Sequence, residues 1–300
     1  MALLSNASRQ CTSRLVQPPE IFDRALRRLR RDRAASHFAA HDFLRAHMIE
    51  EILDRLDSVK RSFTRALDLG ACDGALGKAL RARGIEVVSA DPGRAFADAL
   101  GGVQCDEDRL PFADSSFDLI VQAGGLESVN DVPGALTLAR RALMPDGLYL
   151  GALVGSGSLP ALKAAMLAAD MDVGDAVHAR THPQIDVRAA GDLLSRAGFA
   201  LPVADTARLT VRYRDVFRLF TDLRGMAATN LLRGERSPIT RRWLAAATQA
   251  FAKGADADGK ISEHFEIVCL TGWSPSPDQP KAARRGSATT SLAAILKPGG

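Results

Sequence analysis

Cysteine is scarce in this chain: Cys11, Cys72, Cys105 and Cys269 are the only four in 300 residues. They form no CxxC pair and no regular framework, which argues against disulfide staples and structural zinc and for a reducing compartment. Long apolar runs are missing too. None reaches the roughly 18 residues that a membrane-crossing helix needs, so no transmembrane segment is expected. Nor does one sign of charge dominate. Basic residues number 39 and acidic ones 35, a formal net charge of +4, which gives no electrostatic reason to expect a nucleic-acid partner. Acid is absent from residues 1–19. That stretch is expected to be a disordered N-terminus, with a targeting segment as the alternative. The bacterial cytoplasm is therefore the expected compartment and the mitochondrial matrix the second choice.

Hydrophobic residues make up 46% of the chain and charged ones 25%, which suits one large globular domain or two smaller ones. The stretch from Ile21 to Ala34 places Ile21, Ala25, Leu26 and Leu29 on one helical face. Arg24, Arg27, Arg28, Arg30, Arg31 and Arg33 surround it, and such a run is expected to be a solvated face. A second helix is expected through Leu44, Met48, Ile52 and Leu56, with His41 and Asp42 as its cap.

From Ala66 short apolar runs alternate with helical patterns. Strands are expected at 66–70, 85–90, 102–105, 117–121 and 148–154, with helices at 75–83 and 135–143. Alternating βα units imply a parallel sheet covered on both faces, with the ligand crevice at the carboxyl ends of the strands. After Leu159 the pattern loosens. Helices are expected at 188–197, 215–232 and 239–252, and strands at 203–213 and 265–271. The domain plan is then a segment at 1–19, a helical lid at 20–60, a main domain at 61–273 with a helical insertion at about 215–252, and a flexible tail at 274–300.

The strongest motif is Leu67-Asp-Leu-Gly-Ala-Cys-Asp-Gly74 at the first strand-to-helix turn. Gly70, Ala71 and Gly74 let backbone approach a ligand where larger side chains would collide, and the following helix aims free N–H groups at the same place. Asp68 can brace that loop or meet a ligand ammonium. A dinucleotide fingerprint needs Gly-x-Gly-x-x-Gly, and Cys72 and Ala75 stand where its later glycines belong. A nicotinamide cofactor is thereby disfavoured, and a purely structural turn stays open. Asp91 ends the second strand, where a carboxylate can accept both hydroxyls of a ribose. Asp106 and Glu107 follow the third strand, where an acid can receive an adenine amino group. Gln122 sits at the mouth of the fourth.

Residues 66–154 resemble the class I S-adenosylmethionine-dependent methyltransferases, including the malonyl-carrier-protein methyltransferases. The resemblance rests on that turn, on Leu110-Pro-Phe112, on Phe117-Asp-Leu119 and on Leu143-Met-Pro-Asp-Gly147. A wider set resembles the respiratory complex I assembly family, whose mitochondrial members hydroxylate an arginine of a complex I core subunit. It comprises Ile21-Phe-Asp-Arg24, Arg33-Ala-Ala35, Val129-Asn-Asp131, Arg196-Ala-Gly-Phe199, Thr271-Gly-Trp273 and Arg285-Gly-Ser-Ala288. The resemblance implies a Rossmann-like α/β fold with a seven-stranded, mostly parallel sheet, and S-adenosylmethionine as cofactor. It implies cofactor contacts from Asp68, Gly70, Ala71, Gly74, Asp91, Asp106, Glu107 and Gln122, and a protein substrate, with a complex I core subunit the expected one. The chain departs from the family in having Cys72 in a glycine-rich loop and Leu126-Glu-Ser128 where mitochondrial members carry Leu-His-Trp.

Methyl transfer asks a protein mainly to position the acceptor. No nucleophilic triad is expected, and no metal motif is visible. Three functions compete: an arginine-modifying enzyme of complex I assembly, an O-methyltransferase for a small acid or carrier-bound thioester, and a non-catalytic assembly scaffold.

Overall fold

The computed structural model describes residues 20–174, 176–234 and 237–279. Two helices lead the chain: α1 (Arg24–Ala35), opened by Asp23, whose side chain accepts from Leu26 N–H, and α2 (Phe43–Asp57). Then β1 (Arg65–Leu69), α3 (Ala75–Ala82), β2 (Glu86–Asp91), α4 (Arg94–Ala99), β3 (Val103–Gln104), β4 (Phe117–Ala123), α5 (Val132–Ala142) and β5 (Leu143–Val154) alternate. The chain continues through α6 (Pro160–Val173), α7 (Val187–Arg196), β6 (Ala200–Tyr213), α8 (Val216–Gly225), α9 (Arg241–Ala252) and β7 (Ile261–Trp273).

The seven strands form one sheet in the order β3-β2-β1-β4-β5-β7-β6. All pairs are parallel except those of β7, which runs antiparallel to both β5 and β6. This is the Rossmann-like architecture expected. β4 is buried along its whole length, as a central parallel strand covered on both faces must be. Its side chains alternate: Leu119 and Val121 join a core with α2, α3, α6 and α8, while Ile120 joins a second core with α5 and α7. Among the described residues no helix is long and apolar enough to cross a membrane.

The order reverses between β1 and β4, so the crevice lies at the carboxyl ends of β1, β2 and β4. The short helix α4 and the longer α6 escaped the sequence pattern. Pro160 opens α6, and the buried carboxylate of Glu263 on β7 accepts from Leu162 N–H at 2.8 Å, satisfying a helix terminus from a distant strand. The helix expected at 215–232 stops at Gly225. Beyond it, Leu231 O accepts from Asp23 N–H and Phe22 bridges Leu232. Pairing with the start of α1 replaces helical bonding there.

Three local expectations differ from the structure. In α1 the buried side is Arg27 and Ala34, while Leu29 is 44% exposed. The arginine face points inward. His41 does not cap α2; its Nδ1 pairs with Asp222 of α8 at 2.9 Å. Residues 274–279, assigned to a flexible tail, turn back onto the start of β5, with Ser274 N–H donating to Gly147 O at 2.8 Å. The expectations for 1–19 and for 280–300, including the Arg285-Gly-Ser-Ala288 stretch, lie outside the described residues.

The His41 contact requires glycine at 225. A Cβ there would stand 2.1 Å from His41 Cδ2 and 2.8 Å from its Cβ. Gly225→Ala is expected to destabilise the protein by about 1–3 kcal/mol, the usual cost of overpacking, read from the urea midpoint. A change within experimental error would mean that His41 swings aside freely.

Candidate functional site

The turn after β1 is built from left-handed backbone. Gly70, Cys72 and Gly74 have φ of 72°, 49° and 75°. A non-glycine residue in that region is uncommon, so Cys72 holds a glycine-like conformation with a side chain attached. The N–H groups of Gly70 and Ala71 donate to Ala90 O at 2.8 and 3.0 Å, bracing the loop on β2. Asp68 is fully buried. Its Oδ2 accepts from Gly77 N–H at 3.0 Å, and its Oδ1 has no hydrogen-bond partner among the described residues. Burial pushes its carboxyl up to about 6, although the nearby Arg45 guanidinium pulls the other way.

Asp91, Asp106 and Glu107 stand where the sequence placed them, at the carboxyl ends of β2 and β3, and all three are buried. Each carries a guanidinium from α1. Arg31 grips Asp91 through Nε at 2.9 Å and Nη2 at 2.5 Å, while Cys72 N–H and Gly93 N–H donate to the same carboxylate. Burial would raise the Asp91 carboxyl, but the Arg31 guanidinium outweighs it and holds the pKa low. Arg27 forks onto Glu107 at 2.6 and 2.7 Å. Arg28 reaches Asp106 at 2.5 Å, leaving Asp106 Oδ1 without a partner among the described residues. Arg24 forks onto Asp108, both contacts at 2.6 Å.

Gln122 accepts from the Tyr149 hydroxyl at 2.9 Å, and its Nε2 is unpartnered among the described residues. From α2, Arg45 donates to Gly70 O at 3.0 Å, to Ala71 O at 2.9 Å and to Ala123 O. It ties the β1 turn to the end of β4.

Above these strand ends lies a cavity of about 690 Å³. Leu44 and Met48 of α2, Leu162 of α6, Phe220 and Leu223 of α8, and Phe265 of β7 give it an apolar wall. One wall is held by a buried network. Asp170 accepts from Arg180 Nη2 at 2.7 Å and from Trp243 Nε1 at 2.6 Å, with the Arg180 guanidinium stacked 4.2 Å from the Trp243 ring centroid. Burial alone would raise the Asp170 carboxyl; the hydrogen bonds from Arg180, His178 N–H and Trp243 bring it down to about 2. His182, whose Nε2 accepts from Leu231 N–H at 2.8 Å, is kept neutral, its pKa pushed down to about 4 by burial and by Arg30 and Arg27.

The eight sequence-assigned residues thus lie at or just beyond the carboxyl ends of β1 to β4, with the acids of β2 and β3 covered by α1, and none of the eight is among the residues that line the cavity. The reading missed Arg27, Arg45, Asp170 and His182, and it preferred a solvated face for Arg31, which is instead paired with Asp91. For α1 the signal was available: arginines at 24, 27, 28 and 31 share one helical face, and a chain carrying a row of strand-end acids offers them partners. Arg45, Asp170 and His182 depend on long-range packing that no local pattern announces.

A methyltransferase-domain family model matches residues 67–151, a span that holds all eight of those residues. A Danio rerio protein named arginine-hydroxylase NDUFAF5, mitochondrial, is 30% identical over 294 residues, covering 94% of this chain and 92% of its own length. A malonyl-[acyl-carrier protein] O-methyltransferase of Methylovorus sp. (strain MP688) is 30% identical over 273 residues, covering 85% of this chain and 90% of its own. This chain belongs to the class I S-adenosylmethionine-dependent methyltransferases. Among solved structures, the YcgJ protein of Bacillus subtilis is similar in fold, with a TM-score of 0.51 at 15% identity over 76% of this chain and 99% of that one. Within the family the chain is related to both the hydroxylase and the carrier-protein branch, and it is an S-adenosylmethionine-dependent enzyme.

The α1 ion pairs differ in burial, and that difference is measurable. Arg27 and Glu107 are 5% and 0% exposed at their side chains, whereas Arg28 is 42% exposed. Arg27→Ala strands a buried carboxylate and should cost about 3–5 kcal/mol. Arg28→Ala also uncovers a buried acid, Asp106, but leaves Arg24 Nη1 3.4 Å from its Oδ2, so it should cost less, about 1–2 kcal/mol. Equal denaturation midpoints for the two variants would refute the ranking.

Proposed function

We propose that this enzyme uses S-adenosylmethionine at the strand-end crevice and modifies an arginine side chain of a protein held in the cavity above it. The observation that carries this reading is the cavity itself. It opens on the carboxyl ends of the strands, lies between α2, α6 and α8, and its volume of about 690 Å³ is in the range of small-ligand pockets, roughly 300–1,000 Å³. The Danio rerio relative named an arginine hydroxylase is similar along 94% of this chain, helices outside the sheet included. That supports arginine as the acceptor, and the resemblance to the complex I assembly family makes a core subunit of that complex the proposed substrate. The 30% identity to the Methylovorus carrier-protein enzyme supports carboxyl O-methylation as the second reading.

The residues fit the cofactor. Asp68 Oδ1 and Asp106 Oδ1 have unspent lone pairs, suited to a ligand bearing ammonium, amine and hydroxyl donors. At Gly70 an added Cβ would enter the space beside Gly124 O and Glu107 Oε1, at 3.6 and 3.8 Å. We assign Asp91 to the ribose hydroxyls, Asp106 and Glu107 to the adenine side, and Asp68, Gly70, Ala71 and Gly74 to the amino-acid end, with Gln122 at the mouth. The bound sulfonium supplies an already activated methyl group. The protein's share is to bind, orient and exclude water. We read residues 20–60 and the insertion at 215–252 as the lid that does so. Arg31 takes both oxygens of Asp91 in this structure, so seating a ribose on Asp91 requires Arg31 to withdraw.

Two measurements test this. By calorimetry, Asp91→Ala should weaken S-adenosylmethionine binding by about 1.5–3 kcal/mol, the value of hydrogen bonds to a charged group, and Arg31→Ala should strengthen it. Unchanged affinity in both variants would remove Asp91 from the site. For the substrate, peptide mass spectrometry of complex I core subunits should be compared with and without this protein. One added oxygen or one added methylene on an arginine is the expected gain. Its appearance on a carboxylate instead would favour the second reading, and no change would leave only a scaffold role.

A further inference from the structure

The cavity wall carries many cations, yet those with described partners are committed. Arg27 is held by Glu107, Arg31 by Asp91 and Arg180 by Asp170. Arg45 donates to three main-chain carbonyls through its two Nη groups, and its Nε has no hydrogen-bond partner among the described residues. Lys163 Nζ donates to Ser156 O at 3.1 Å and to Gln184 Oε1. Among the described residues that line the cavity, one is acidic. Glu127 sits in the short turn Leu126–Ser128 that follows β4, and its Oε2 is shielded from solvent with no hydrogen-bond partner among the described residues. A buried carboxylate oxygen left without a donor costs stability, and here that cost falls at the mouth of the site.

The turn is shaped to put it there. Gly124 and Gly125 have φ of 79° and 92°, a backbone that side chains disfavour. They reverse the chain sharply at the end of β4. Glu127 Oε1 then accepts from Gly125 N–H at 3.1 Å, which fixes one oxygen and leaves the other over. Arg27, itself buried and lining the cavity, clamps the turn, donating to Gly125 O at 3.1 Å and to Ser128 Oγ at 3.0 Å. The carboxylate is rigidly presented on a braced element, as a recognition group must be.

We propose that Glu127 receives the guanidinium of an arginine side chain whose aliphatic stem lies along the Leu44, Met48, Phe220 and Leu223 wall. An apolar wall ending in one unspent carboxylate matches the two ends of arginine, a three-carbon stem and a planar cation. A carboxylate acceptor would meet repulsion from Glu127. The inference rests on the arginine reading of the function and supplies its specificity-determining residue.

The test compares N-acetyl-arginine amide with its neutral isostere N-acetyl-citrulline amide, by ligand-observed NMR titration of the full-length protein. Wild type should prefer the arginine probe by about tenfold or more, the expected gain from a charge-assisted hydrogen bond. Glu127→Gln keeps the shape and the Gly125 contact but should erase the preference. Glu127→Asp keeps the charge and should retain part of it, which guards against a folding defect in the first variant; melting temperatures recorded alongside report on that directly. No preference in wild type, no binding of either probe, or a preference that survives Glu127→Gln overturns the proposal. A Glu127-dependent preference without any mass change on complex I subunits would sink the proposed substrate and keep this site. An arginine mass gain that persists in Glu127→Gln would keep the function and discard Glu127.

Discussion

Four guanidinium groups of α1 meet four carboxylates at the ends of β2 and β3, and the arrangement above the sheet follows from those pairs. Arg24, Arg27, Arg28 and Arg31 span about two helical turns, roughly 10 Å of axis, and dock on Asp108, Glu107, Asp106 and Asp91. Three of the pairs, those of Arg24, Arg27 and Arg31, are bidentate, which fixes orientation as well as distance. With α1 so placed, Asp32 Oδ1 accepts from Ala95 N–H at 2.9 Å at the start of α4. Phe22 and Asp23 pair with Leu231 and Leu232, which draws the segment after α8 across the crevice. The cavity therefore owes one of its walls to charges on the helix at the opposite end of the chain.

The same pairs explain why the helix face was misjudged from the sequence. Hydrophobic periodicity identified α1 correctly as amphipathic, but its inward face was assigned by the ordinary preference for burying leucine. That preference is worth about 1.5–3 kcal/mol per side chain. A row of strand-end carboxylates without partners would cost more than that if left buried alone. Electrostatic pairing decides the orientation, and Leu29 is left in solvent.

Elsewhere legibility followed the range of the physics. The sheet was readable because each βα unit is a local event: an apolar run, a glycine turn, an amphipathic helix. The positions of Asp68, Asp91, Asp106, Glu107 and Gln122 followed, since parallel topology brings all strand ends to one edge. What stayed hidden is satisfied by long-range contacts. The terminus of α6 is capped by Glu263 a hundred residues on, and Asp170 is neutralised from Arg180 and Trp243. Neither leaves a mark in the local pattern. Glu127 was visible as a departure from family resemblance, yet its meaning depended on the fate of the neighbouring cations, which only the packed structure supplies.

Buried ion pairs have a property that suits a binding site better than a core. Removing two charges from water costs nearly what their attraction returns, so the pair is close to break-even against other well-matched arrangements, while either half alone is strongly unfavourable. A carboxylate such as Asp91 is then indifferent to the source of its donors but intolerant of having none. Arg31 fills it in this structure; under the cofactor assignment proposed above, donors from the ligand take its place. Exchange between the two needs only a differential affinity of a few kcal/mol, within what a few charge-assisted hydrogen bonds supply. Under the cofactor assignment proposed above, the helix that completes the fold can release Asp91 without leaving that acid unpaired, because the ligand's donors replace the Arg31 guanidinium as it withdraws to solvent.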